Sequence, residues 1–191
     1  MILPAVIYVL WDIYFTANGV WGFNEAYITG IKIINLPIEE VLFFFIVPYC
    51  CVFIYECICC YFPNWKDNKR GDTVLKCLAL ALAIAGVIFY DRHYTCWTFL
   101  LTAFFIAVIY TFRQYFILFN TRLFLISYSV ILVPFLIVNG FLTAIPIVMY
   151  NNEENLGVRI YTIPFEDIFY GMLLVLMNIV IYEKLKNSNT G

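Results

Sequence analysis

The sequence predicts an all-α integral membrane protein: about six transmembrane helices in two parallel sequence repeats with a connecting helix. Composition is the first reason. Of 191 residues, 64% are hydrophobic, 20% aromatic and only 13% charged, and the mean hydropathy is +0.88. A soluble domain carries about twice that charge, so no water-compatible surface can be made from this chain. The second reason is a series of six apolar runs, most of them near the roughly 20 residues that a bilayer requires. The third is a duplication. Leu36-Pro37-Ile38-Glu39-Glu40-Val41 returns as Ile163-Pro164-Phe165-Glu166-Asp167-Ile168, at an offset of 127 residues from Pro37 to Pro164.

The apolar runs cover residues 2–17, 36–62, 73–90, 96–118, 123–149 and 163–182. The first is short and begins almost at the first residue. It lacks the basic flank of a signal peptide and leads straight into repeated sequence. The second and sixth open on the duplicated phrase and close on the same pair, Tyr55-Glu56 and Tyr182-Glu183. The match is ungapped, with about ten identities between 16–56 and 143–183. The fourth, fifth and sixth runs make a full second repeat over 96–191. The first two make the first repeat over 1–62, and 63–95 holds the connecting helix and its loops.

Charge orients the helices. One set of loops carries Lys32, Arg92 and Arg159. The other, with its flanking helix ends and the C-terminus, carries Lys66, Lys69, Arg70, Lys76, Arg113, Arg122, Lys184 and Lys186. The positive-inside rule places the second set, and the C-terminus, in the cytoplasm. The duplicated acids then open two helices on the opposite side, in the same orientation. A net charge of −2 with no basic stripe gives no reason to expect a nucleic-acid partner. The bilayer is the expected environment, and self-association as a homo-oligomer stays open.

Glu39, Glu40, Glu166 and Asp167 lie in the first turn of their helices, behind first-turn prolines. A helix N-terminus favours acids, but two such pairs inside otherwise apolar helices point to function. Four acids gathered in a poorly hydrated site cannot all ionise. One then stays protonated beside an ionised neighbour, a general acid next to a general base. Asp12 falls within the first run, and its repeat mate is Asn139. Asn24 and Asn151 are duplicated loop amides, read as caps or as partners of the acids. Arg159 stands close enough in sequence to neutralise a carboxylate. Glu56 and Glu183 lie about 25 Å further along their helices, near the other face, and read as interfacial anchors. The cysteines, including Cys57-Ile58-Cys59-Cys60, lack the spacing of a tetrahedral site, and a single histidine, His93, sits in a loop; no metal is expected. The fingerprints of nucleotide, flavin and serine-hydrolase chemistry do not occur.

The doubled Pro-x-Glu-Glu/Asp phrase resembles the lycopene cyclase domain family. So do Trp11-Asp12, Gly19-Val20-Trp21-Gly22-Phe23-Asn24, and Asn151 with Gly157-Val158-Arg159-Ile160. This is the membrane-integral, flavin-independent carotenoid cyclase of the tandem-domain bacterial type. The resemblance implies a lycopene β-cyclase, an intramolecular lyase or isomerase that needs no cofactor. It would close the ψ-ends of lycopene, or a related linear carotenoid, into β-rings in the bacterial inner membrane. Carried onto the matching motif, it makes Glu39, Glu40, Glu166 and Asp167 the catalytic acids, with donor and acceptor unassigned. Asp12, Trp21, Asn24, Phe43, Phe44, Asn151, Phe169 and Tyr170 are then the expected substrate contacts, the rings offering π-faces to a carbocation. It also implies a further helix ahead of residue 2. Two other functions stay open on the residues: a non-catalytic carotenoid-binding subunit that needs a partner, and a small proton or ion transporter.

Overall fold

A computed structural model describes residues 1–188. Six α-helices dominate: α1 (Ile2–Ala17), α2 (Ile38–Tyr61), α3 (Lys69–Ile88), α4 (His93–Thr111), α5 (Thr121–Ala144) and α6 (Asp167–Ser188). Five of them, α2 to α6, are long and apolar enough to cross a membrane; α1 has 16 residues. Chemistry sets their ends. Asn68 and Asn120 cap α3 and α5 by accepting the backbone N–H of Gly71 at 2.7 Å and of Leu123 at 3.1 Å. Large apolar side chains such as Ile106, Ile109, Phe124, Leu176 and Ile179 are buried between helices, while exposed ones such as Leu80 and Val133 face outward, as a lipid solvent permits.

Six very short strands lie outside the helices: β1 (Trp21–Phe23), β2 (Lys32–Ile33), β3 (Leu36–Pro37), β4 (Val148–Tyr150), β5 (Arg159–Ile160) and β6 (Ile163–Pro164). Here the structure departs from the sequence reading. The run 123–149 does not stay helical: α5 ends at Ala144, ahead of Pro146, and 148–150 pairs with β1. The run 96–118 leaves the α-helix at Thr111 for a 3-10 turn over Arg113–Tyr115. Pro37 caps α2, and Pro164 lies in β6, ahead of α6.

The 127-residue repeat is visible element by element. The β2–β3 hairpin pairs Lys32 with Pro37 and Ile33 with Leu36. The β5–β6 hairpin pairs Arg159 with Pro164 and Ile160 with Ile163, which are the same positions one repeat later. Strands β1 and β4 are also mates, and they pair with each other, antiparallel, with Gly22 opposite Met149. Gly22 and Met149 are themselves repeat mates, so this register puts a pseudo-two-fold axis between them. The flanking bonds obey the same axis: Asn24 N–H donates to Ile147 O at 3.0 Å and Asn151 N–H to Val20 O at 2.9 Å.

At the opposite end of the helices, Glu56 and Glu183 come together with Cys59 rather than standing apart as separate anchors. Lys186 ion-pairs with Glu56 at 2.8 Å. Most of the cationic residues gather at this end, where Arg113 pairs with Asp67 at 2.5 Å.

Both hairpins turn on a residue with positive φ, Ile34 at 62° and its mate Tyr161 at 59°. The first residue of such a two-residue turn is a glycine position, and a β-branched side chain there is strained. Replacing Ile34 or Tyr161 by glycine should stabilise the protein by about 1 kcal/mol, read as a raised melting temperature in detergent. A lowered one would contradict the strain.

Candidate active site

The β1–β4 ribbon closes over the ends of α1, α2, α5 and α6, and a small cavity lies beneath it. Its volume is about 50 Å3, room for about one or two waters. Three carboxyl groups line it: Asp12 near the end of α1, Glu40 in the first turn of α2, and Asp167 at the first residue of α6. Among the described residues, no lysine, arginine or histidine lines this cavity.

Aromatic rings form the rest of the wall. Trp21 of β1 packs edge-on against Tyr94 and Tyr170, with ring centres 5.1 and 5.9 Å away. Tyr94 and Tyr150 stack at 5.8 Å. The hydroxyls of these rings serve the acids. Tyr94 donates to Asp167 Oδ1 at 2.5 Å, Tyr150 donates to Asp167 Oδ2 at 2.9 Å, and Tyr170 donates to Asp12 Oδ1 at 2.5 Å. Burial, and then the Asp167 charge beside it, push the Tyr150 phenol well above its ordinary pKa, so it remains an O–H donor at any physiological pH. Both oxygens of Asp167 are therefore occupied. Among the described residues, no donor reaches the Glu40 carboxyl.

The four leading acids divide by position within the motif. Glu39 is exposed and accepts the Thr29 N–H at 2.7 Å. Glu166 accepts the Leu156 N–H, also at 2.7 Å, and Leu156 is the repeat mate of Thr29. The first acid of each copy thus holds the preceding loop, and the second, Glu40 or Asp167, faces the cavity. Glu39 lies inside α2, whereas Glu166 is covered and stands one residue ahead of α6, not within its first turn as the sequence suggested. Thr95 of α4 donates to it at 2.6 Å, and its second oxygen has no partner among the described residues.

The expected substrate contacts divide in the same way. Asp12, Trp21, Phe43 and Tyr170 line the cavity. Phe44 is buried beside Tyr8, and Phe169 packs against Phe99 and Phe165 at 5.3 Å, both away from it. Asn24 and Asn151 are turn-formers: each accepts the N–H two residues on, from Ala26 and Glu153. Arg159 binds Thr162 O at 2.7 Å and Asn152 at 2.5 Å, and hydrogen-bonds to no acid. His93 opens α4 and pairs with Glu154 at 3.0 Å, outside the cavity. Sequence reasoning missed Tyr94 and Tyr150. Tyr150 directly precedes the duplicated Asn151, a position the repeat could have flagged. Tyr94 stands on α4, whose repeat mate would fall ahead of residue 1, so the repeat carried no signal for it.

Glu166→Gln should cost about 1–3 kcal/mol, because the new amide N–H2 falls where no acceptor waits. Glu39→Gln, exposed and still able to accept from Thr29, should melt like the parent. Equal melting of the two variants would contradict the distinction.

A family model described as Lycopene cyclase matches residues 1–58 and 91–185, most of the chain. No curated protein and no solved structure matches it. The match takes in α1, α4 and α5, most of α2 and α6, every carboxyl of the cavity and both tyrosines that serve Asp167; the chain belongs to the lycopene cyclase family of carotenoid cyclases.

Proposed function

We propose that the protein is a lycopene β-cyclase that works by acid catalysis in the cavity of Asp12, Glu40 and Asp167. One observation carries this reading: both copies of the repeated motif deliver their second acid to a single small, ring-lined cavity that holds a third carboxyl. Glu40, which accepts no hydrogen bond, is the proton donor to the terminal double bond of a ψ-end. The neighbouring double bond attacks the resulting tertiary cation and closes a six-membered ring. Asp167, whose two phenol donors stabilise its carboxylate form, takes a proton from the new ring and leaves the β-ring double bond. One proton enters and one leaves, so the product is an isomer and no oxidant is needed. Asp12, held by Tyr170, is the third carboxyl, through which Glu40 regains a proton from solvent between turnovers, while Asp167 gives its own up to solvent.

The rings have a matching task. A carbocation is quenched by water and stabilised by π-faces. Trp21, Tyr94, Tyr150 and Tyr170 surround the acids with such faces and leave little room for water. Five membrane-capable helices support a multi-pass membrane protein, and the resemblance implies a bacterial plasma membrane. Its cation-rich end and C-terminus would lie in the cytoplasm, and its acid cavity beneath the outer face.

Pigment analysis in lycopene-accumulating bacteria tests the proposal. The wild type should convert lycopene to γ- or β-carotene. Glu40→Gln and Asp167→Asn should each lower conversion by at least about 100-fold, while Glu39→Gln keeps most of it. Unchanged lycopene beside well-folded wild type would overturn the function. Full conversion by Glu40→Gln and Asp167→Asn would overturn the acid assignment.

A further inference from the structure

A second cavity, of about 240 Å3, runs between α2 and α5. It shares Phe43, Phe135 and Asn139 with the acid cavity, so the two adjoin at those side chains. Val47, Cys50 and Ile54 of α2 form one wall, and Ile131, Pro134 and Val138 of α5 form the other. From Phe43 to Ile54 the crevice descends about 16 Å along the helix, roughly half the thickness of a bilayer's hydrocarbon core. Cys50, Pro134 and Val138 are exposed, so it opens sideways to lipid.

The repeat shows why this crevice is open. Its pseudo-two-fold mate lies between α6 and α1, and that one is filled. Val138 has Trp11 as its mate, Val47 has Leu174, and Cys50 has Met177. Trp11 packs on Tyr8 and Tyr170 with ring centres 5.4 and 5.1 Å away. Leu174 is 2% exposed, and Met177 packs beside it. At each of these three positions the smaller residue stands on the α2–α5 side.

We infer that the α2–α5 crevice is the binding groove for the linear polyene chain of the substrate, which enters from the lipid and presents its end to the acids past Phe43 and Phe135. This rests on the cyclase reading and adds the path and orientation of the chain. The 50 Å3 acid cavity cannot hold a six-membered ring, so the reacting end occupies the junction of the two spaces once Phe43 and Phe135 turn aside. Among the described residues, the groove is lined by apolar side chains and two cysteines apart from Asn139, which suits a hydrocarbon and no charged ligand. Trp11, Leu174 and Met177 pack the α1–α6 side, so the groove delivers a single ψ-end to the acids at a time.

Refilling the groove with the residues of its mate tests this. Val138→Trp and Cys50→Met are compared with Val133→Trp, which places the same bulk on the outward face of α5. Each is measured for kcat/KM with lycopene. Each is also built into Asp167→Asn, purified from lycopene-accumulating cells, and measured for lycopene retained per protein. Val138→Trp should lower both readouts by about tenfold or more, and Cys50→Met should lower them by less. Val133→Trp should leave both within twofold of their parents. Retention and turnover that survive Val138→Trp and Cys50→Met alike would overturn the groove, and would show that any retained pigment sits elsewhere. Should Val138→Trp misfold, the readouts of Cys50→Met, at an exposed position, decide. If the wild type converts no lycopene, the cyclase reading fails, and the retention comparison still decides whether the groove binds a polyene. A parent that neither retains nor converts lycopene overturns the groove as well.

Discussion

Two backbone hydrogen bonds set which acid of each motif faces the cavity: Thr29 N–H to Glu39, and Leu156 N–H to Glu166. Successive residues on a helix point about 100° apart. Once the first acid of each motif is tied to the loop before it, the second is turned inward. The positive-φ hairpins, the Asn24 and Asn151 turns and the β1–β4 ribbon all hold those two loops in register. The arrangement is used twice, and the pseudo-two-fold axis brings Glu40 and Asp167 to the same cavity.

Duplication sets up the site, and departures from symmetry give it direction. Asp12 has Asn139 as its mate, so the cavity holds three carboxyls rather than four. Tyr150 has Phe23 as its mate, so only Asp167 receives a hydroxyl from the ribbon; α4 adds a second from Tyr94. The two motif acids thereby become chemically unlike, one with two donors and the other with none, as the proposed acid–base pair requires. The two lateral crevices differ in the same manner, one packed by Trp11, Leu174 and Met177 and the other left open by Val138, Val47 and Cys50. Phenols satisfy Asp12 and Asp167 at this depth, whereas Glu40 has no donor among the described residues.

Helices and repeat were legible because hydropathy and an ungapped offset are strong signals. The β-strands were not, since elements of two or three residues leave no periodic trace. The motif named four acids but could not say which of each pair turns inward, because that depends on a loop N–H ten residues upstream. The same rotation separates Phe43 from Phe44 and Tyr170 from Phe169: neighbours on a helix, one at the cavity and one in the packing. Tyr94 was out of reach of any repeat argument, since its mate would fall ahead of residue 1. The meeting of Glu56 with Glu183 was implicit in the parallel arrangement of the repeats, since mates near one axis approach each other at both ends.

Isotope transfer tests the central claim most directly: that cavity carboxyls exchanging with solvent deliver one proton and remove another. Purified protein would be given lycopene in D2O, and the product examined by mass spectrometry at early times. The account predicts one deuterium for each ring formed, since the donated proton comes from an exchanged carboxyl and the one removed comes from the substrate. Rings formed without deuterium would mean that the proton never leaves the substrate, and would contradict the assignment of Glu40 and Asp167.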